Sequence, residues 1–199
     1  MRLILIEHME EAVTRWVLEE YKEAGRVAGE AGFRLIVAGV RNPLHRAQLQ
    51  AHGLETWITH SWEACDNPKA IVLDMWAARD LQPWEAEVAE CFIVGGIMGD
   101  HPPRRRGLML TRHFDWAATR RLGPGQLSVD GTVKVLTQVA AGRSLSDLEM
   151  AESPTIEVET PLGRIEVTLP FTYPKRNGKP WISRGLARLL ASGIVWDEA

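Results

Sequence analysis

Short apolar runs alternate with amphipathic segments along the first 140 residues of the chain. Apolar or strand-like runs occupy residues 3 to 6, 33 to 38, 71 to 73, 91 to 94 and 117 to 122. Helical periodicity occupies residues 10 to 28, 43 to 53, part of 77 to 90, and 129 to 141. Continuous apolar runs are typical of strands buried on both faces, and strand-helix-strand order favours parallel pairing. The pattern therefore predicts an α/β fold, a parallel sheet with helices on both faces.

The period of the pattern changes beyond residue 150. Apolar and charged positions alternate on both sides of the turn at 161 to 163, which predicts a two-stranded hairpin with one exposed face. We expect a loop over residues 170 to 180 and a short helix over 183 to 190. The predicted organisation is an α/β domain over 1 to 150 and a C-terminal hairpin and helix extension over 151 to 199.

Composition indicates a soluble globular protein. Of 199 residues, 45% are hydrophobic and 25% charged, and no apolar run reaches the roughly 18 residues of a membrane span. The apolar stretch that precedes Glu7 is too short for a signal peptide. Two cysteines give no disulfide framework. We expect a cytoplasmic protein with no membrane partner.

Charge and histidine spacing narrow the function classes. A net charge of -3 argues against a broad basic face for nucleic acid. Arginine is nevertheless dense at positions 104 to 106, 112, 120 and 121. The wide spacing of His45, His52 and His60 favours surface positions, so we expect no metal site.

Polar residues and glycines follow several of the predicted strands. In open parallel sheets, ligands bind outside the carboxyl ends of the strands. Those ends carry Glu7, Asp74, the pair at 95 and 96, and the pair at 122 and 123. We therefore expect one shared ligand-binding site at this edge of the sheet. Asp74 could bind a ribose hydroxyl or an amine, or cap the next helix, and Glu7, Glu10 and Glu11 are expected to mark a helix N-terminus.

The segment from Gly95 to Arg104, Gly-Gly-Ile-Met-Gly-Asp-His-Pro-Pro-Arg, is the richest in candidate chemistry. Its glycines allow a ligand to approach the backbone, although they could equally form a tight turn. The spacing matches neither a dinucleotide fingerprint nor a phosphate-binding P-loop. Asp100 and His101 could accept a proton or orient a substrate, or they could cap a turn.

Several segments together resemble one branch of the SPOUT methyltransferases, which includes a eukaryotic enzyme that methylates an arginine of a small-subunit ribosomal protein. The residues that carry the resemblance are Ile6 to Glu11, Trp16, Leu18 to Tyr21, Asp80 to Pro83, Gly95 to Arg104, Arg120 to Gly123, Gln126, Pro170, Phe171, Tyr173 and Gly178 to Pro180. It covers nearly the whole chain and is weakest at residues 40 to 70. The stretch Gly-Asp-His-Pro-Pro is its most specific part.

The resemblance implies a trefoil knot at about residues 91 to 142 and S-adenosylmethionine as the cofactor. The cofactor-binding residues that we predict are Asp74, Met75, Gly95, Gly96, Ile97, Gly99, Leu122, Gly123, Gln126, Leu127 and Asp130. Departures from the family pattern are Met75 after Asp74, and Arg105, Arg106 and Gly107 after Arg104. These departures concern the substrate more than the cofactor.

The resemblance favours an arginine of a basic ribosomal protein as the methyl acceptor. A guanidinium stays protonated at physiological pH, so its methylation needs carboxylates to orient it and help remove a proton. Our hypothesis is that Glu7 and Asp100 hold the guanidinium while His101 or Arg104 positions the loop. This branch is expected to act as a monomer.

Two other functions stay open at this point. RNA methylation, common among SPOUT enzymes, would use Arg104, Arg105, Arg106, Arg112 and Arg120 on phosphates and an acid such as Asp100 as the proton acceptor. A ribosome-associated module that binds the cofactor without turnover is the other alternative.

Overall fold

A computed structural model describes residues 2 to 99, 104 to 161 and 163 to 193. The strands are β1 Leu3–His8, β2 Arg34–Ala38, β3 Ala70–Leu73, β4 Cys91–Gly96, β5 Ala118–Arg120, β6 Met150–Glu152, β7 Thr155–Thr160, β8 Gly163–Thr168, β9 Thr172–Arg176 and β10 Lys179–Pro180. The helices are α1 Arg15–Glu30, α2 Pro43–Ala51, α3 Ser61–Ala64, α4 Pro83–Val88, α5 Leu108–Thr111, α6 Val129–Ala140 and α7 Arg184–Ser192.

The central sheet has five parallel strands in the order β2-β1-β4-β3-β5. The register pairs Glu7 of β1 with Gly95 of β4, and Leu73 of β3 with both Val94 of β4 and Arg120 of β5. Since all five strands run in the same direction, their carboxyl ends lie at one edge. This arrangement confirms the predicted parallel α/β architecture.

Helices cover both faces of the sheet, as predicted. One face buries Ile4, Ile6, Phe92 and Val94 against α1, α4 and α6 in a single apolar core. The other face buries Leu5, Ile36, Val72 and Ile93 against Leu110 of α5 and Phe114. None of the helices in the described ranges has the length and apolarity needed to cross a bilayer.

Two predicted boundaries were wrong. Helix α1 begins at Arg15, where the Thr14 side chain accepts a hydrogen bond from the backbone N–H of Val17, so Glu10 and Glu11 precede the helix and do not form its first turn. Strand β4 continues through Gly95 and Gly96, which are therefore strand residues.

The segment expected to be a loop at 170 to 180 contains two strands. Strand β9 pairs with β10 on one side and with β6 on the other, all antiparallel. Strand β9 could not be predicted from the sequence, because it contains Pro174 and its apolar and polar positions do not alternate. The short helices α3 and α5 also lie in segments for which no helix was predicted.

The C-terminal elements form a third, smaller apolar core. Strands β7 and β8 make the expected hairpin, and Val158 and Val167 pack with Leu186 and Leu190 of α7. Helix α7 lies against α1. The domain boundary near residue 150 stays a prediction, as does the trefoil knot, whose chain path includes residues outside the described ranges.

A buried network of polar and charged side chains joins α1 to α6. The Glu20 carboxylate accepts a hydrogen bond of 2.7 Å from the backbone N–H of Val129 and one of 2.5 Å from the Trp16 indole. The fully buried Lys134 ammonium lies 2.6 Å from Asp130 and 3.7 Å from Glu23. Unpaired buried charges are costly, so this network fixes the position of α6 and of the loop that precedes it.

The raised pKa of Glu20 predicts that the stability of the protein depends on pH. Burial, followed by the negative charge of Asp130, raises the pKa of Glu20 from 4.5 to about 8. Between these values the folded protein binds more protons than the unfolded chain, so the associated stability is present at low pH and is lost as pH rises through about 8. We expect the free energy of unfolding to fall by about 2 kcal/mol between about pH 6.5 and about pH 8.5.

Urea unfolding at several pH values measures this slope. Glu20→Gln has no titrating carboxyl at this position and should lose the slope, whereas Glu87→Gln, at an exposed position of α4, should retain it. Equal slopes in the wild type and Glu20→Gln would contradict the raised pKa.

Candidate active site

A cleft of about 830 Å³, including its open mouth, lies at the carboxyl edge of the sheet. Its lining residues come from the ends of β3 and β4, from the α5 region and from the loop between β5 and α6. They are Leu73, Asp74, Met75, Trp76, Val94, Gly95, Ile97, Gly99, Arg104, Arg106, Gly107, Leu110, Leu122, Gly123, Gly125, Gln126, Leu127 and Thr132. The mainly apolar lining with a few polar groups is typical of small-molecule sites.

Glu10 holds the loop that follows β4. Its Oε1 accepts a hydrogen bond of 2.8 Å from the backbone N–H of Met98 and one of 2.9 Å from the Arg106 guanidinium. Arg106 also donates to the Met98 carbonyl at 3.3 Å. One carboxylate before α1 therefore ties together two points of the chain that flank residues 99 to 105.

The opposite wall of the cleft, between β5 and α6, is held by β9 and by two close backbone approaches. The backbone N–H of Thr172 donates to the Gln126 carbonyl at 2.8 Å. A Cβ on Gly99 would overlap the Gln126 side chain and the Phe171 ring, and a Cβ on Gly125 would overlap Thr172. These two positions need glycine because the loops lie against each other and against β9.

Asp74 and Trp76 lie together at the end of β3. The Asp74 backbone N–H donates to the Arg120 carbonyl of β5 at 2.9 Å, and Asp74 Oδ1 accepts from the Trp76 backbone N–H at 3.1 Å. The turn closes with a hydrogen bond of 3.0 Å from the Ala77 N–H to the Asp74 carbonyl. This turn presents a carboxylate and an indole to the same cleft.

Comparison with known proteins gives the family of the chain. A family model described as "Protein arginine N-methyltransferase SFM1-like" matches residues 3–195. The chain belongs to this family. The SFM1-like match spans the central sheet, the cleft and the C-terminal strands.

Relatives of known structure agree with this assignment. The chain is 29% identical over 203 residues to the protein arginine N-methyltransferase SFM1 of Saccharomyces cerevisiae, covering 94% of this chain and 92% of the yeast protein. A crystal structure of yeast SFM1 complexed with SAM superposes with a TM-score of 0.79 at 26% identity, covering 96% of this chain and 89% of the yeast chain.

A more distant structure matches the fold alone. The dual specific Trm10 of Thermococcus kodakaraensis superposes with a TM-score of 0.57 at 16% identity, covering 74% of this chain and 96% of that chain. The SFM1-like fold is therefore shared with this Trm10 protein.

Most of the residues predicted to bind the cofactor lie on the cleft. They are Asp74, Met75, Gly95, Ile97, Gly99, Leu122, Gly123, Gln126 and Leu127. Gly96 does not lie there: a Cβ on it would overlap the Tyr21 hydroxyl on the opposite face of the sheet. Asp130 is buried, and its carboxylate accepts hydrogen bonds from Lys134 and Ser128 in the protein interior. The cofactor contacts themselves stay a prediction.

Glu7 does not fit its predicted role in holding a guanidinium. It is 1% exposed, and its two oxygens accept hydrogen bonds from His60 Nδ1 at 2.6 Å and from the Ser61 backbone N–H at 2.8 Å. No oxygen of this carboxylate faces the cleft mouth. Glu7 instead anchors α3 and the His60 ring, which stacks on Trp62 with 4.1 Å between ring centroids.

The other predicted catalytic residues divide into two groups. Arg104 is exposed and lines the cleft. Asp100 and His101 lie outside the described residues, so their predicted roles stay predictions.

Two of the histidines expected at the surface, His45 and His60, are partly exposed and have protein partners. His60 is bonded to Glu7, and His45 Nδ1 lies 3.1 Å from His8 Nε2. Burial, with the nearby His45, lowers the pKa of His8 to about 4, so His8 is neutral at physiological pH. Among the described residues no cluster of three or more His, Cys, Asp or Glu side chains could hold a metal ion.

The residues of the cleft that sequence reasoning missed are Leu73, Trp76, Val94, Arg106, Gly107, Leu110, Gly125 and Thr132. Gly125 carried a signal, since it closes the Gly-Pro-Gly turn after β5. Leu110 could not have been found, because it reaches the cleft only through the short helix α5.

Substitution of Glu10 tests whether its carboxylate holds the loop that follows β4. Glu10→Ala removes the acceptor of the Met98 N–H, and hydrogen bonds to charged groups contribute about 1.5–3 kcal/mol. We therefore expect amide exchange at Met98 to accelerate at least about tenfold, measured by hydrogen–deuterium exchange. Glu11→Ala, at the exposed neighbouring position, should leave this rate unchanged. Unaltered protection in Glu10→Ala would show that the loop is held by other contacts.

Proposed function

We propose that this protein transfers a methyl group from S-adenosylmethionine to an arginine side chain of a basic ribosomal protein. The methyltransferase class follows from membership of the SFM1-like family. The observation that carries the proposal is the cleft at the carboxyl edge of the sheet, where Asp74 is the one carboxylate among the described lining residues. The mild negative charge of the chain suits a basic partner.

The residues of the cleft fit the proposed cofactor. Apolar side chains such as Leu73, Val94 and Leu127 suit an adenine ring, and the backbone of Gly95 faces the cleft without a side chain. Gln126 adds a polar group for hydrogen bonding. When bound there, S-adenosylmethionine supplies an electrophilic methyl group.

The chain's own residues have two tasks toward the acceptor. The guanidinium must be oriented, and a proton must leave the nitrogen that receives the methyl group. Asp74 can perform both tasks, because its Oδ1 accepts from the Trp76 N–H while its other oxygen has no protein partner among the described residues. Asp74 thus takes the place that the sequence analysis gave to Glu7.

The described arginines favour protein over RNA as the acceptor. Arg106 is paired with Glu10 at 2.9 Å, Arg120 is paired with Glu85, and Arg121 is paired with Asp80 at 2.6 Å. Two of the arginines on which the RNA alternative depends are therefore neutralised within the chain.

We further propose that the chain acts as a monomer in the cytoplasm and carries the trefoil knot at about residues 91 to 142. Support for a monomer comes from the C-terminal elements, since α7 packs on α1 and covers part of the α-helical face.

Methyl transfer to a whole ribosomal fraction tests the proposed function. The protein is incubated with labelled S-adenosylmethionine and ribosomes, after which protein and RNA are separated and the proteins hydrolysed. We expect label in methylarginine. Label in RNA would support the RNA alternative instead, and cofactor binding without any label would support a module without turnover.

Asp74→Asn separates the acceptor role from cofactor binding. The amide oxygen can still accept from the Trp76 N–H, so the turn persists, but the charge and the proton acceptor are lost. We expect kcat for the protein acceptor to fall about hundredfold. Calorimetric affinity for S-adenosylhomocysteine should stay within about twofold, and a large loss of that affinity would assign Asp74 to the cofactor.

Gly99→Ala tests the close approach of the two loops. Overpacking costs about 1–3 kcal/mol, and here the added methyl displaces Gln126 from the cleft wall. We expect the affinity for S-adenosylhomocysteine to fall by about tenfold. Gly29→Ala is the matched control, since a Cβ there meets open space on α1. Full affinity in Gly99→Ala would contradict the placement of Gln126 at the cofactor.

A further inference from the structure

Trp76 occupies an unusual position for a tryptophan. It lines the cleft, yet 46% of its surface is exposed, so it contributes little to either apolar core. The exposed Trp84 and Trp116 do not line the cleft. An indole at the mouth of a cleft is available to contact whatever enters.

The face of Trp76 already carries a guanidinium. The central carbon of the Arg105 guanidinium lies 4.9 Å from the centroid of the Trp76 ring. This distance is within the range of a cation–π interaction, for which tryptophan is the best aromatic partner. The geometry therefore demonstrates that a planar arginine head group fits on this ring.

Arg105 is weakly held in this position. It is exposed, and among the described residues no carboxylate is paired with it, in contrast to the neighbouring Arg106. An exposed cation–π contact is a small interaction that another guanidinium can replace. Arg105 can therefore leave the ring without breaking an ion pair.

The carboxylate of Asp74 lies in the same turn as Trp76 and lines the same cleft. Asp74 Oδ1 accepts a hydrogen bond of 3.1 Å from the Trp76 backbone N–H, so the two residues belong to one turn. A guanidinium is recognised through its N–H edge by carboxylates and through its flat face by aromatic rings. A lysine ammonium lacks this planar face.

We propose that the acceptor arginine lies on the indole of Trp76, and that Arg105 occupies this place when no substrate is bound. The inference rests on the proposed function, because it names the residue that recognises the arginine. Trp76 is then a specificity-determining residue, and Arg105 is an internal competitor of the substrate.

Kinetics with the ribosomal protein fraction as acceptor test both parts. At saturating S-adenosylmethionine, Trp76→Ala should raise KM for the acceptor roughly three- to tenfold, while Trp76→Phe retains most of the affinity. Trp84→Ala, at an exposed tryptophan away from the cleft, should match the wild type. Affinity for S-adenosylhomocysteine should be the same in all of these proteins. A loss of that affinity in Trp76→Ala, with KM for the acceptor unchanged, would overturn the proposal.

Arg105→Ala distinguishes a competitor from a substrate-binding residue by the sign of its effect. Removal of a competitor should lower KM for the acceptor about twofold or more. A rise in KM would show that Arg105 contributes to binding and would overturn its role as a placeholder.

A titration without catalysis separates this proposal from the proposed function. In ¹⁵N-labelled protein, comparison with Trp76→Phe assigns the Trp76 indole N–H among those of the eight tryptophans. N-acetyl-arginine amide should shift this signal, more strongly in Arg105→Ala, whereas N-acetyl-lysine amide should not. No shift in Arg105→Ala would overturn the arginine site even if ribosomal protein is methylated. A shift without any methylation would leave the site standing and contradict the proposed acceptor.

Discussion

The hydrogen bond from the backbone N–H of Val129 to the Glu20 carboxylate is the contact on which the position of the cleft depends. It joins the first helix of the chain to the N-terminus of α6, and the loop that ends at this helix forms one wall of the cleft. Burial of Glu20 makes the contact strong, because no water competes for the N–H. Lys134 completes the same interior network, because it lies between Asp130 of α6 and Glu23 of α1.

A second acidic side chain near the N-terminus controls the other wall. Glu10 precedes α1, and Glu20 lies within it, so a short segment of the chain fixes both loops that the cofactor is proposed to contact. Neither carboxylate faces the cleft as a reactive group. Their function is to hold backbone in place, which leaves Asp74 as the carboxylate that the described lining offers to chemistry.

The pattern of the sequence predicted the sheet and its helices because apolar runs and helical periodicity are local properties. The pattern failed where contacts between distant residues determine the structure. Glu10 was predicted in the first turn of a helix, but its carboxylate is bonded to the Met98 backbone N–H. Strand β9 contains a proline and is a strand because it pairs with β6 and β10. Strand ends located the cleft correctly. The pattern could not show that Glu7 is fully occupied by His60 and Ser61, since α3 lies more than fifty residues away along the chain.

The adjacent glycines Gly95 and Gly96 have different neighbours because successive residues of a strand face opposite sides of the sheet. Gly95 borders the cleft, whereas Gly96 gives room to the Tyr21 hydroxyl beneath α1. The two glycines thus meet different requirements: position 95 forms part of the cleft wall, and position 96 allows α1 to pack on the sheet. A side chain at position 95 would therefore change the shape of the cleft, whereas one at position 96 would disturb the packing of α1 on the sheet.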